Sequence, residues 1–252
     1  MAFKSKISIL IYTHSDYSFI WPALIGQMKE YIGKDIEVHF GYNNTIDDII
    51  NYNIPDDWIQ HTYKDGIVWT KRVNSLLKEI DSEYILFIHE DWIPTNNVSK
   101  KILLEACNFM DTVDCGFLLS YSHFSVTDSQ DGIFTGYEDY YYYEEDSHIF
   151  QPAIWKKTVF SEFCEVLNKE KNQNEDTQCL AFMRNKKCYS VQNLKTVRQY
   201  RTTNSLIFPH MHCLSEGLWN FTKYPTLKKL LDDYGIDTNS RGIHTWWELD
   251  TQ

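Results

Sequence analysis

The 252-residue chain has no CxxC pair. Its six cysteines, Cys107, Cys115, Cys164, Cys179, Cys188 and Cys213, are scattered and match no zinc-module spacing. Such thiols read as reduced core residues, which predicts a cytoplasmic protein. No apolar run approaches the ~20 residues that span a bilayer. The first such run, Ile7 to Tyr12, is too short for a secretory signal and is followed by polar residues. Positive charge is scarce: 24 Lys and Arg stand against 35 Asp and Glu, a formal net charge of -11. An excess of carboxylates repels phosphate backbones and anionic lipid surfaces, which argues against nucleic acid and membrane partners. There is no internal repeat, linker or low-complexity tail. The length fits one domain able to bury its own core without staples.

What is present is aromatic side chain, 15% of the residues, with 17 Tyr and 8 Trp. Sugar-binding proteins use such rings as flat platforms, and large cores use them as filling. The first half alternates strand and helix patterns. Ile7–Tyr12 reads as a buried strand, with a helical stripe of Trp21, Leu24, Ile25, Met28, Tyr31 and Ile32 after it. A second strand, Ile36 to Phe40, closes at Gly41-Tyr42-Asn43-Asn44, and Thr45 caps a short helix. A weaker strand runs from Trp58 to Tyr63, and a helix from Val68 to Ile80. Tyr84 to Ile88 is nearly all apolar, as a strand covered on both faces must be. A helix carrying Ile102, Leu103, Ala106 and Met110 and a strand from Gly116 to Ser120 complete this half. The expected fold class is α/β, a mostly parallel central sheet flanked by helices, as one domain of two halves. Residues 1–120 form the ligand-binding half and 121–252 a more irregular half, with helices at 158–168, 176–184 and 227–234.

In open α/β sheets, ligands bind beyond the carboxyl ends of the strands. That rule selects the loops at Thr13-His14-Ser15-Asp16, at Gly41 to Asn44, and at His89-Glu90-Asp91-Trp92. The third is the most informative, because two adjacent carboxylates after a buried strand need a partner. A divalent cation chelated to a diphosphate supplies one. Solvated loop acids that cap the next turn are the plain alternative.

The stretch from Tyr84 to Pro94 resembles the DxD segment of GT-A glycosyltransferases, and is closest to family-2-like members whose strand ends in Glu-Asp-Asp-Trp. The resemblance implies a Rossmann-like GT-A sheet and a nucleoside diphosphate sugar donor. It places Asp91 at the last acid, the metal contact, and Glu90 at the middle one. His89 replaces the first acid. Imidazole ligates Mn²⁺ but suits Mg²⁺ poorly, so this departure bears on metal dependence. Further segments agree in order. Thr13, His14 and Asp16, with Tyr42, resemble the loops that hold the nucleotide. Lys71, Arg72 and Asn74 resemble the helix that approaches it, and Lys71 and Arg72 are the cations best placed for a diphosphate. Phe150 to Lys157 resembles an acceptor-side strand that carries Trp155 beside the transferred sugar; a buried core strand explains Trp155 as well.

Glu175-Asp176 resembles the acid pair that supplies the general base of inverting members. The chemistry needs a carboxylate beside the acceptor hydroxyl. Asp176 is the expected base and Glu175 the second candidate, although both also suit a helix N-terminus. The late pair His210 and His212 can share one face of a strand, and His212 is the expected metal partner of Asp91. The tyrosine-rich acidic segment 136–146 is the expected acceptor wall. The expectation is therefore transfer of a sugar to a glycan or other hydroxyl acceptor, assisted by Mn²⁺ or Mg²⁺. The GT-A sheet serves inversion and retention alike. One rival is a sugar nucleotidyltransferase, which requires a Gly-rich basic loop after the first strand that is missing here. The other is a non-catalytic carbohydrate-binding module.

Overall fold

The computed structural model describes residues 5–43, 52–120, 132–133, 140–144, 152–169, 182, 186, 188–193 and 202–244. Strand β1 (Ile7–Tyr12) is buried throughout. A 3-10 turn, Ser15–Ile20, leads into helix α1 (Trp21–Tyr31), whose first turn accommodates Pro22. Strands β2 (Glu37–Asn43) and β3 (Ile59–Tyr63) precede helix α2 (Trp69–Glu79). Then come β4 (Tyr84–His89), β5 (Trp92–Pro94), helix α3 (Lys100–Val113) and β6 (Phe117–Leu119). The second half contributes β7 (Gly132–Ile133), β8 (Tyr140–Glu144), β9 (Ala153–Lys156), helix α4 (Lys157–Lys169) and β10 (Cys188–Asn193). Short strands β11 (His210–His212), β12 (Leu214–Ser215) and β13 (Leu218–Trp219) and a helix, Leu227–Asp233, follow. The helix expected at 176–184 and the Thr45 cap lie outside the described residues. Among the described residues no helix is long and apolar enough to cross a membrane.

One sheet of nine strands runs in the order β3-β2-β1-β4-β9-β6-β10-β8-β7. Strands β3, β2, β1 and β4 are mutually parallel, as are β6 and β10. The expected α/β architecture is observed: a mostly parallel central sheet with helices on both faces. One face packs α1 and α3, through Trp21, Leu24, Leu103 and Met110, against Ile9, Ile11, Phe40 and Leu86. The other packs α2 and α4, through Val73, Leu76, Phe160 and Phe163, against Leu10, Ile85, Phe87 and Phe117.

Two local expectations change. Strand β2 does not close at Gly41 but continues through it to Asn43. Gly41 is a close-approach glycine: a Cβ there would stand 2.5 Å from Cδ1 of Leu76 on α2. Strand β9 enters the middle of the sheet, antiparallel to β4 and β6. This places Trp155 in the core at 7% exposure. Its ring lies between Phe117, at 4.6 Å, and Phe160, at 4.7 Å, both stacked.

The start of the chain is tied to α3 by a small charged cluster. Lys6 Nζ donates to Asp111 Oδ2 at 2.9 Å, and the Tyr84 hydroxyl donates to Asp111 Oδ1. The Tyr84 hydrogen bond, then Lys6, hold the Asp111 carboxyl below its ordinary 3.8. The unfolded chain therefore protonates first on acidification. The stabilisation is complete above 3.8 and is lost as pH falls from there through the folded value. The Asp111 side chain is 42% exposed, so solvent screens the pair, and Asp111→Asn is expected to cost only about 1 kcal/mol near neutral pH. Urea titrations at pH 7 and pH 3 check this: the gap between variant and parent should narrow at the lower pH.

Candidate active site

The carboxyl ends of β1 and β4 open into a cleft of about 770 Å³. It is lined by Tyr12, His14, Asp16 and Tyr17 from the end of β1 and by His89, Glu90 and Asp91 from the end of β4. Arg72 of α2, His212, and the Leu214 to Gly217 turn complete the lining. A larger cavity of about 930 Å³ sits at the opposite end of the sheet, near Lys6, Glu37 and Lys100. That is the amino end of the strands, away from where α/β sheets hold ligands.

Strand pairing creates the centre of the cleft. The chain turns at Glu90 and Asp91 and returns as β5, which pairs antiparallel with β11 so that His212 lies opposite Trp92. The Cys213 N–H donates to the Asp91 carbonyl at 2.7 Å, and Asn220 Nδ2 donates to the His212 carbonyl at 2.8 Å. Thus Nε2 of His212 stands 2.9 Å from Oδ2 of Asp91, across 121 residues of sequence. Both side chains remain partly open to the cleft, 35% and 20% exposed. A carboxylate oxygen and an imidazole nitrogen are both groups that ligate divalent cations, and these two residues would be the ones to hold such an ion in this cleft. Among the described residues no three His, Cys, Asp or Glu side chains form a ready metal cage.

The other two members of the motif turn inward. The His89 ring is packed edge-on among Tyr12, Phe87 and Trp92, at 4.8–5.6 Å. Burial pushes its imidazole down to about 4, so it is neutral at physiological pH. Glu90 is 6% exposed, and burial, then the Asp91 charge, lift its carboxyl well above the usual carboxylate range. Neither His89 Nε2 nor Glu90 Oε2 has a hydrogen-bond partner among the described residues. His210 is fully buried, its Nδ1 2.7 Å from the Phe208 carbonyl, and burial pushes it down to about 3. It braces β11 and does not line the cleft.

The opposite wall is a fixed cation. Arg72 is the single Lys or Arg among the described lining residues. Its Nε donates to the Ile67 carbonyl at 2.7 Å, its NH1 reaches the Tyr12 hydroxyl at 3.5 Å, and its NH2 lies 3.5 Å from Asp65. The guanidinium also rests over the Tyr63 ring at 5.5 Å. Asp65 in turn accepts from Asn43 Nδ2 at 3.2 Å and lies 3.2 Å from Nε2 of His14. The Asp16 N–H donates to His14 Nδ1, which assigns the proton to Nε2 and makes His14 a donor to Asp65. The hydrogen bond from His14 is the main cause that holds the Asp65 carboxyl below its ordinary range.

His14, Asp16, Arg72, His89, Glu90, Asp91 and His212 thus meet in one cleft. Four expected contacts do not line it. Thr13 is fully buried and donates to the Gly41 carbonyl at 2.9 Å. Tyr42 points to the α1 face of the sheet, near Trp21 and Phe40. Lys71 lies on the exposed side of α2. Asn74 accepts from Ser161 Oγ at 2.5 Å and ties α2 to α4. Trp155 is core and not a cleft wall. Glu175, Asp176 and most of the 136–146 segment lie outside the described residues. Sequence reasoning missed Tyr12, Tyr17, Asp65 and the turn at Glu216-Gly217. The last left a readable signal, a Glu-Gly pair between two short apolar runs.

No family model matches the chain, and no curated protein matches it. Solved structures do. The first 349 residues of S. aureus TarS superpose with TM-score 0.49 at 14% identity, covering 94% of this chain and 74% of that one. A 4-diphosphocytidyl-2C-methyl-D-erythritol synthase from Anaerococcus prevotii gives 0.47 at 16%, covering 76% and 88%. A nucleotidyl transferase from Methanothermobacter gives 0.49 at 9%, covering 80% and 93%. At such identities and scores, the case for a reaction rests on the residues of the cleft.

Proposed function

We propose that the protein is a glycosyltransferase of GT-A type that takes a sugar from a nucleoside diphosphate donor. The observation that carries this reading is the meeting of the Asp91 carboxylate and the His212 imidazole, opposite the fixed guanidinium of Arg72, at the carboxyl ends of β1 and β4. A diphosphate suits that arrangement: Arg72 would face its oxygens, and Asp91 and His212 would hold a divalent cation bound to it. Mn²⁺ suits the mixed oxygen and nitrogen donors better than Mg²⁺. When bound, such a cation supplies Lewis-acid stabilisation of the departing diphosphate.

The chain's own groups do the rest. Tyr12, Tyr63 and Asp65 keep Arg72 charged and aimed, so it stabilises negative charge without moving. The neutral His89 ring, packed against Trp92, lines the cleft at the end of β4. Asp176, with Glu175 as second candidate, removes the proton from the acceptor hydroxyl. The acceptor oxygen then bonds to the anomeric carbon, and the electrons of the breaking C–O bond leave with the diphosphate. Inversion of configuration follows from this single displacement.

The single cation of the described cleft supports a diphosphate over a triphosphate. The loop after β1 carries His14, Ser15 and Asp16, with neither a glycine nor a cation. Two assays separate the readings. Release of nucleoside diphosphate from a sugar donor, with no pyrophosphate formed from a nucleoside triphosphate and a sugar 1-phosphate, is the expected result; the reverse identifies a nucleotidyltransferase. Nucleotide binding is read independently by thermal shift. At a hundredfold excess over Kd, a nucleoside diphosphate with Mn²⁺ should stabilise the fold by about 2.7 kcal/mol. Arg72→Gln should remove most of that shift. An undiminished shift in the variant places the diphosphate elsewhere.

A further inference from the structure

Strands β12 and β13 form a hairpin in which Ser215 pairs with Leu218, leaving Glu216 and Gly217 as a two-residue turn. Both have positive φ, 51° and 79°, the signature of a type I′ turn. Gly217 suits its place. Glu216 does not, because Asn, Asp and Gly are the residues that enter the left-handed region readily. The other described non-glycine residues at positive φ are Asn53 and Asp114, which follow that rule. Glu216 is the exception.

The surroundings hold the turn in this conformation. Trp219, fully buried, stacks on Phe221 at 5.7 Å, and its backbone N–H donates to the Gly242 carbonyl. Arg241 donates to the Gly217 carbonyl at 3.2 Å while lying over the Phe19 ring at 4.4 Å. Strain kept by a braced frame beside a cleft points to function. Glu216 lines the same cleft as Asp91, His212 and Arg72. Glu216 is exposed, and its carboxylate makes no hydrogen bond or ion pair with any other described residue.

We propose that Glu216 is a sugar-recognition residue whose carboxylate accepts hydrogen bonds from hydroxyls of the transferred sugar. This rests on the donor reading above. The hairpin leaves the strand end that presents His212 and carries Glu216 along the cleft wall. A donor with its diphosphate at Asp91 and His212 would carry its sugar on one side of that point and its nucleoside on the other, and the Glu216 side is taken as the sugar's. A carboxylate offers two oxygens to neighbouring hydroxyls, and hydrogen bonds to an ionised acceptor are the strong ones.

The test is Glu216→Asn, with Glu216→Gln beside it. Asparagine is the better residue for this turn, so Glu216→Asn should melt at the parent's temperature or higher. Turnover of the sugar donor, as kcat/KM, should fall about tenfold to a hundredfold in both variants, the loss expected when a hydrogen bond to a charged group is weakened or removed. Affinity for the sugar-free nucleoside diphosphate should stay within about twofold of the parent. Unchanged donor turnover in Glu216→Asn makes Glu216 a turn residue only and overturns the assignment. Equal losses of donor turnover and nucleotide affinity also overturn it, because the contact is then not with the sugar. If the parent itself releases no nucleotide from any donor, the donor reading fails first and takes this assignment with it.

Discussion

Asp91→Ala is expected to lower nucleotide release from the sugar donor by about 10²–10³-fold, the range seen when one electrostatic contact to developing charge is removed. Asp91 is the open carboxylate of the strand-end motif. Glu90 is buried, and burial holds its carboxyl toward the neutral form, so it cannot replace the lost charge. His212 cannot replace it either, since an imidazole brings no negative charge to a cation. The fold should survive, because the Asp91 side chain is 20% exposed and its hydrogen bond among the described residues is to His212. Asp91→Asn keeps an acceptor for His212 but loses the charge, and should lose nearly as much activity. The comparison is made on variants with unchanged melting temperature. Retained activity in Asp91→Asn would mean that Asp91 only orients His212.

Trp155→Ala has the largest expected effect on stability, a loss of about 3–5 kcal/mol. The ring is stacked on both faces, by Phe117 and Phe160, and tilted against Phe163 at 5.3 Å. It fills the layer between the sheet and α4. Chemical unfolding measures the loss directly. Nucleotide affinity, measured on the fraction that remains folded, should match the parent. A small loss of stability with a large loss of activity would return Trp155 to the acceptor side.

These two residues also show where the sequence is readable. The pattern of apolar residues marks β1, α1, α2, β4 and α3, because each buries one continuous stripe or run and period alone reveals it. The position of β9 is not marked. An apolar run of three residues, Ala153 to Trp155, suits an edge or a centre equally, and only pairing with β4 and β6 decides. The alternation of a strand explains the exchange of Tyr42 for Asn43. Tyr42 faces α1, whereas Asn43 faces the cleft side, donates to Ser15 Oγ at 2.7 Å and reaches Asp65. The helix period explains Lys71 and Arg72: consecutive helical residues point about 100° apart, so only one of them reaches the cleft.

The acids at the end of β4 were legible because two carboxylates after a buried strand are costly without a partner. Their separate fates were not. Asp91 stays open while Glu90 turns inward, and that depends on how β5 leaves the sheet. His212 could be suspected from its spacing to His210, but its meeting with Asp91 depends on the pairing of β11 with β5.

The most direct test of the proposed chemistry is nucleotide release from a panel of UDP-, GDP- and dTDP-sugars by the purified protein with Mn²⁺. Slow transfer of the sugar to water suffices, so no acceptor need be known. Release from one donor, lost in Asp91→Ala and reduced by EDTA, is the predicted result. Absence of release from every donor, together with no thermal shift on adding nucleotide, would contradict it and leave a carbohydrate-binding module on the same fold.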